Sequence, residues 1–378
     1  MTMAPHIQTE QLHPVFGASV SGVDFSKPVS EEVQLEIQKA LHQVNKSSSY
    51  GVLVFRDTAL DDQKHVDFAK MFGAIDKLNI PPGSGIKARF ETDELQDQGN
   101  LGLDGTVLPD ESPKAHFNKV WEPYTQRKSR TLLTFLPTRQ GNLLFHVDNS
   151  YHPQRVKYSM LRAVDLPPQG TGGNTEFVDV RQAWDDLPEP WKQELQANGY
   201  RVRHSMWHSR KLASPDFFAR LDATNYPSSL RNLVQKHPDT GRTHLYIASH
   251  CFDIEGLSTA ESKEKLDFLM NHATKDKYIL SLPWLNKGDM MVWDNRCVMH
   301  RGQPLSGSHK RDLRRATILD EGPEAYSFDA KTYDYMKFWS AAFHVMQQYD
   351  TGVQEAAKKQ LGLAGKDVAG LEKAIPTV

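Results

Sequence analysis

Hydrophobic and polar positions follow two rhythms along this chain, one near 3.6 residues and one of two, and the switches between them mark elements. The stretch "HPVFGASVSGVDFSKPVS" (13–30) alternates as a short strand running into a turn. "SEEVQLEIQKALHQV" (30–44) follows with a serine cap, early acids and helical apolar spacing. "YGVLVFRD" (50–57) is an unbroken apolar run of strand length, and "DDQKHVDFAKMFG" (61–73) predicts a helix closed by Gly73. From Ile75 to Gln140 the rhythm fades into polar, Gly/Pro-rich text such as "PPGSG" and "DESPKAHFNK", the kind of long loop that rims a site.

Residues 142–320 return to short β-rich runs: "NLLFHVD", "YSMLRAVDL", "NTEFVDV", "THLYIA", "DMMVWDNRCVMH" and "RRATIL". Short strands separated by turn signals predict an antiparallel sandwich or jelly roll, carrying helical insertions at 181–197 and 258–273. After Gly322, "YDYMKFWSAAFHVMQQY" and "VQEAAKKQLG" are amphipathic and predict a helical extension that packs on the core or on a second subunit. The expected class is α+β with a mainly β core, divided as one core domain over 1–321 and a helical extension over 322–378.

Composition narrows the ligand. At 378 residues and 39% hydrophobic positions the chain can bury a substantial core. Its 45 basic and 47 acidic residues are spread along the chain and nearly cancel, which argues against nucleic-acid and membrane partners and for a small molecule. Only Cys251 and Cys297 occur, too few for a disulfide framework or a thiolate zinc site, so any metal must use histidine and carboxylate. The start "MTMAPHIQTEQLHPVFG" lacks a basic segment followed by an apolar one, and no run approaches the roughly 18 apolar residues of a membrane span. A reducing, cytoplasmic setting is expected.

Candidate chemistry begins in "NLLFHVDNSYHP" (142–153), where an apolar run ends in His146 and Asp148. On a strand, residues two apart share a face, so the two side chains would project together. The same His-x-Asp spacing recurs at His65/Asp67 and His237/Asp239. His65 lies in a helical pattern, where residues two apart diverge by about 200°. His237 precedes Pro238 in the turn-like "KHPDTGR", read as a solvated loop. For His146 and Asp148 an ordinary hydrogen-bonding pair at a strand end is the plain alternative. His300, ending "GDMMVWDNRCVMH", adds a third donor. Two histidines and a carboxylate can hold non-haem Fe(II) with three positions open, and the same set could hold zinc for hydrolysis.

An α-keto diacid bound there needs a cation for its far carboxylate, and arginine matches that geometry best. "HKRDLRRATILD" (309–320), read as the strand returning from the His300 turn, puts Arg311 and Arg315 on one face with Leu313 and turns Arg314 away. Four residues of strand separate Arg311 and Arg315 by roughly 13 Å, so one would serve a cosubstrate and the other a substrate. A solvated basic edge is the alternative. Cys297 is expected as a small buried hydrophobe, Trp293 and Asp294 as packing around the His300 strand, and Trp207 and Trp284 as core or pocket wall.

From "HPVFGASVSGVDFS" to "RRATILD" the chain resembles the Fe(II)/2-oxoglutarate dioxygenases of the TauD/TfdA (taurine and 2,4-dichlorophenoxyacetate dioxygenase) group. The resemblance is carried by "FHVDNSYHP", "GGNTEFVDVRQAWDDLP", "WDNRCVMHRG" and "RRAT" in that order. It implies a double-stranded β-helix core and makes His146, Asp148 and His300 the iron ligands. It assigns Arg311 to the distal carboxylate of 2-oxoglutarate, Thr175 to its hydroxyl partner, and Arg315 to the anionic group of the substrate. Asn142 would line the cosubstrate side, or simply serve as a turn residue at a strand start. The implied reaction consumes O2 and 2-oxoglutarate, releases succinate and CO2, and hydroxylates the substrate, with C–O cleavage where the attacked carbon bears an ether oxygen.

Departures from the group are Phe145 where a tryptophan is usual, no histidine in "FGAIDKLNIPP", and apparent additions at 113–139 and after Gly322. "DQGNLGLDGTVLP" and "GGNTEFVDVRQAWDDLP" lie closer to the phenoxyacetate branch, which favours a carboxylate substrate over a sulfonate; a sulfonate- or heterocycle-oxidising member of the same group is the alternative. A homo-oligomer, dimer or tetramer, is expected.

Overall fold

Alternate residues of one buried strand face two different apolar clusters, and the architecture follows from that division. The structure, a computed structural model, describes residues 6–42, 49–78, 89–108, 144–305 and 309–341. In chain order the strands begin β1 (Gln8–Gln11), β2 (Ala18–Ser21), β3 (Val52–Phe55), β4 (Gln96–Asp97), β5 (Val156–Asp165), β6 (Thr175–Asp179), β7 (Arg201–His204) and β8 (Ser229–Asn232). They continue with β9 (Val234–Lys236), β10 (Thr243–Leu245), β11 (Cys251–Ile254), β12 (Ile279–Leu282), β13 (Met290–Asp294), β14 (Val298–Gly302) and β15 (Asp312–Leu319). Interleaved are helices α1 (Glu31–His42), α2 (Asp62–Lys70), α3 (Val180–Asp185), α4 (Glu189–Asn198), α5 (Met206–Ala213) and α6 (Thr259–Ala273).

Seven strands form one sheet in the order β1-β2-β3-β13-β5-β15-β4, and β12-β6-β14 form a smaller one. Every pair is antiparallel except β2 with β3. On the large sheet, Val52, Val54, Leu161, Ala163, Met291, Trp293 and Leu313 share a core with Phe177, Leu280, Leu282 and Val298 of the small sheet. The intervening positions Leu53, Phe55, Tyr158, Met160, Met290, Val292, Ala316 and Ile318 pack instead with residues of α1 and α2 such as Ile37, Leu41, Val66 and Phe68. A sheet covered on both faces needs apolar residues at successive positions, which is why "VLVF" and "MMVW" read as unbroken runs. The outer side of the small sheet carries a third cluster, built from Val178, Met299 and Tyr278 with Leu195 of α4 and Leu266 and Leu269 of α6.

The mainly β core with helical insertions is thus as the sequence predicts, with three differences. The helical stretch expected at 181–197 is two helices, interrupted at Leu187 and Pro188. "DMMVWDNRCVMH" is two strands in two sheets, β13 and β14, because the chain turns at Asn295 and Arg296. Within "NLLFHVD", residues 144–148 form no strand, and only His146 pairs, in a single bridge to His300.

Helix α6 begins with a capping box between Ser258 and Glu261. Beyond Gly322 the described residues stay on the core. The Ser327 hydroxyl donates to Leu230 O at 3.1 Å, and Phe338, within a helical stretch at 335–341, is buried against Trp207 and Phe218. Cys251 and Cys297 are buried and free. Among the described residues no helix is long and apolar enough to cross a membrane.

Candidate active site

His146 and His300 exchange both backbone hydrogen bonds, at 3.0 and 2.9 Å, which clamps the loop carrying one to the strand carrying the other. Asp148 follows two residues on, and ligand atoms of all three lie within 4.8 Å of one another in a buried cluster. The Nε2 atoms of His146 and His300 stand 3.8 and 3.6 Å from the same oxygen, Asp148 Oδ1. At metal–ligand distances of about 2.1 Å neighbouring ligand atoms are about 3 Å apart, so this spacing suits one ion held by three donors. His146 Nδ1 lies 2.8 Å from Leu144 O, a carbonyl that can only accept. The proton therefore sits on Nδ1 and Nε2 presents its lone pair. His300 is oriented by packing, between Trp293 at 4.5 Å and Phe177 at 6.3 Å between ring centroids.

The electrostatics suit a cation. Burial lowers His146 to about 4 and pushes His300 well below the ordinary imidazole value, so both are neutral donors at physiological pH. Burial alone would raise Asp148. The Arg315 guanidinium, with lesser help from His300, His146 and the Ser159 hydroxyl, outweighs it and holds the carboxyl at about 2.

Arg311 is the unusual cation. It is 5% exposed and lies just before β15, and burial alone lowers it to about 10. Among the described residues its Nη1 and Nη2 donate only to the carbonyls of Gln98 and Gly173, at 3.3 and 3.4 Å, and Nε has no hydrogen-bond partner. No described carboxylate pairs with it. Two residues past Gly173, Thr175 at the start of β6 accepts the Trp284 indole N–H at 3.2 Å, which leaves the hydroxyl proton free to donate. Gly172 and Gly173 bring the backbone in closely. A Cβ at Gly172, where φ is +93°, would stand 2.3 Å from Pro304 O.

Arg315 is on the inner face of β15 as expected, and so is buried Thr317. Its Nη1 donates to Asp148 Oδ1 and its Nε to Gln96 Oε1 at 3.2 Å. Arg314 faces the other way and pairs with Asp62 and Asp312. Trp284 belongs to the site through Thr175, and Trp207 to the core. Phe145 is buried under the Arg301 guanidinium, 4.3 Å above its ring. Asn142, and the stretch 113–139, lie outside the described residues.

His237 corrects the sequence reading. It is not solvated but 1% exposed, with Nε2 2.9 Å from Asp294 Oδ2. The turn-like text is real, since His237 closes the β9–β10 hairpin, but its ring folds inward. His42, His237 and Asp294 form a second cluster of metal-ligand type. There the Arg296 guanidinium bridges two of the three donors, 2.7 Å from Asp294 Oδ2 and 3.0 Å from His42 Nε2, and itself serves as the cluster's cation, whereas Arg315 reaches only Asp148 in the first cluster. This network ties α1 to the turn after β13.

Sequence reasoning missed Ser159 and Gln96, which carry no motif of their own, and gave no role to Asn295, although it lies within "WDNRCVMHRG"; all three touch Asp148 or Arg315. It also missed Asp76, a carboxyl raised to about 6 by burial, whose neighbour Asn149 directly follows Asp148.

A sheet core with a buried two-histidine, one-carboxylate cluster, and a buried arginine that no described carboxylate pairs, has the make-up of a small-molecule metalloenzyme. Residues 8–317 match the family described as "Taurine catabolism dioxygenase TauD, TfdA family", and the chain belongs to that family. It is 34% identical over 317 residues to an alpha-ketoglutarate-dependent 2,4-dichlorophenoxyacetate dioxygenase of Burkholderia sp. (strain RASC), covering 83% of this chain and 94% of the relative. It is 30% identical over 330 residues to an (S)-phenoxypropionate/alpha-ketoglutarate-dioxygenase of Sphingobium herbicidovorans, covering 84% and 97%. Among solved structures, AAD-2 in complex with Mn(II) and N-oxalylglycine superposes with a TM-score of 0.68 at 32% identity, covering 84% of this chain and 98% of that one.

Proposed function

We propose that this protein is a non-haem Fe(II)- and 2-oxoglutarate-dependent dioxygenase that oxidises a small organic anion, most simply a carboxylate, with release of succinate and CO2. The observation that carries this reading is Arg311, a buried guanidinium without a carboxylate partner among the described residues, immediately before β15, the strand that follows the His300 turn. A buried unpaired charge costs several kcal/mol, and a ligand carboxylate is what would offset it. The relatives' names supply the keto acid and a phenoxy-carboxylate substrate class. A hydrolase on the same triad would leave Arg311 without a task. The reading takes the two-sheet core as a double-stranded β-helix.

The donor set fits ferrous iron: neutral imidazoles and one ionised carboxylate, hard enough for Fe(II) and leaving positions open. Bound iron would supply the dioxygen chemistry that couples oxidative decarboxylation of 2-oxoglutarate to oxidation of the substrate. The chain's own residues supply placement. Arg311 grips the distal carboxylate of the keto acid through two parallel N–H donors, and Thr175 adds its hydroxyl proton. Arg315, steadied by Gln96, presents the remaining guanidinium edge to the anionic group of the substrate, which fixes the carbon nearest the metal. Phe177 and Trp293 around His300 keep that side dry.

For assembly we take a homo-oligomer, dimer or tetramer, in the cytoplasm. Tyr326, Phe328, Tyr335 and Met336 are exposed apolar residues that a second copy could cover, and light scattering on the eluting protein tests it. For the activity, the test is anaerobic Fe(II) with 2-oxoglutarate, in which a weak visible charge-transfer band should form. A succinate-release screen of small carboxylates, sulfonates and heterocycles then identifies the substrate. No band, and no succinate with any compound, would reject the reading.

A further inference from the structure

We infer that Ser159 and Asn295 are positioning residues that pin one oxygen of the Asp148 carboxylate, so that it can give a metal only the other. The inference rests on the metal-ligand reading of Asp148 above and goes beyond it.

The direction of each hydrogen bond is fixed by what the groups can do. Asn295 Oδ1 lies 3.1 Å from the Trp293 indole nitrogen and 3.2 Å from the Asp148 backbone nitrogen. Both are obligate donors, so the amide oxygen must face them and the amide nitrogen must face the other way. There Nδ2 donates to Ser159 Oγ at 2.8 Å. With its oxygen receiving that proton, the serine hydroxyl turns its own proton to Asp148 Oδ2 at 2.6 Å. A one-way chain therefore runs from Trp293 through Asn295 and Ser159 to one carboxylate oxygen. Ser159, Trp293 and Asn295 are fully buried, so water does not compete for any link.

The chain has a rigid base. Ser159 and Trp293 are directly opposed on β5 and β13, in the middle of the large sheet, whereas Asp148 sits in a turn. His146 and His300 are fixed by their mutual backbone bridge, and Asp148 has no such ladder. Side-chain bonds to the sheet take its place. A carboxylate free to rotate can chelate through both oxygens and fill an additional coordination position. Held at Oδ2, Asp148 offers a metal Oδ1 alone, the atom both Nε2 nitrogens face and to which Arg315 Nη1 also donates. Three positions then stay open, two for a keto acid and one for dioxygen.

The test uses Co(II) as probe on the full-length, metal-free protein under argon, with its affinity measured against a competing chelator and its coordination read from the visible d–d band. Wild type should bind one ion, and His146→Ala should lose it. Binding that survives His146→Ala would overturn the ligand assignment itself, a different failure from the one at issue. Ser159→Ala should bind Co(II) about 10- to 100-fold more weakly, the usual cost of losing an outer partner of a ligand, with an altered d–d band. Ser159→Cys, which keeps the volume and a weak donor, should fall between. Ser159→Ala with wild-type affinity and spectrum would overturn the inference. If Ser159→Ala fails to fold, Ser159→Cys decides: a loss of affinity with a changed band supports the pin, and wild-type behaviour rejects it.

Discussion

Arg315 donates to Asp148 Oδ1, the oxygen that both histidine Nε2 atoms face, so the cation assigned to the substrate and the carboxylate assigned to the metal share one atom. Arg315→Ala should therefore act on two measurements at once. Affinity for an anionic substrate should fall by about 100-fold, because truncating one member of a buried charge pair costs roughly 2–5 kcal/mol. Consumption of 2-oxoglutarate without substrate should persist. Substrate KM, and succinate formed in the absence of substrate, check both halves; an unchanged KM rejects the assignment.

Arg311→Ala should abolish the anaerobic charge-transfer band at ordinary 2-oxoglutarate concentrations, and raise the cosubstrate KM by about 100-fold. Its effect on stability should be the reverse of the usual one. The substitution removes a buried cation that no described carboxylate offsets, so the thermal midpoint of ligand-free protein should hold or rise. The added stability that 2-oxoglutarate confers on wild type should vanish. A large drop in the ligand-free midpoint would show that Arg311 is structural.

Thr175→Val keeps the shape and deletes the hydroxyl. It should weaken 2-oxoglutarate by roughly 10-fold, as for the loss of one hydrogen bond to a charged group, and leave the Trp284 indole without its acceptor. Thr175→Ser should restore most of the affinity. Isothermal titration of metal-loaded protein compares the three, and equal affinities would remove Thr175 from the site.

Acid should weaken the fold through buried imidazoles. Burial is the main cause that lowers His65 and His244 to about 3, so between pH 6.5 and 3 the unfolded chain binds protons the native one refuses. The penalty is absent above pH 6.5 and grows as pH falls, reaching about 2 kcal/mol per histidine at pH 5. Asp76, raised to about 6 by burial, works in the opposite sense but is one group against two. Urea unfolding midpoints from pH 7 to 5 should decline, and less steeply in His65→Gln, which can keep a donor for Met160 O. Parallel slopes in the two proteins would contradict this.

The local part of this structure was readable because it rests on period and spacing. Strand alternation separated Arg315 from Arg314 correctly, since two-residue periodicity survives whatever the strand pairs with. His146, Asp148 and His300 were singled out through their motifs and do lie together, although the first two sit in a bridge and a turn rather than a strand. His237 was misread because composition reports the backbone, a turn in this case, and not a side chain that reaches Asp294 far along the chain. The partners of Ser159, and of Asn295 within its motif, were invisible for the same reason. A serine in an apolar run looks like a blemish until the facing strand shows what its hydroxyl meets.

The inward and outward alternation of β15 also limits how the gene can change. Deleting one codon between Asp312 and Arg315 would rotate the strand by a half-period, sending the wrong guanidinium toward Asp148 and exchanging the two layers of core contacts. Length variation should therefore be tolerated in the connecting segments and purged from this strand, whatever compound the pocket has come to accept.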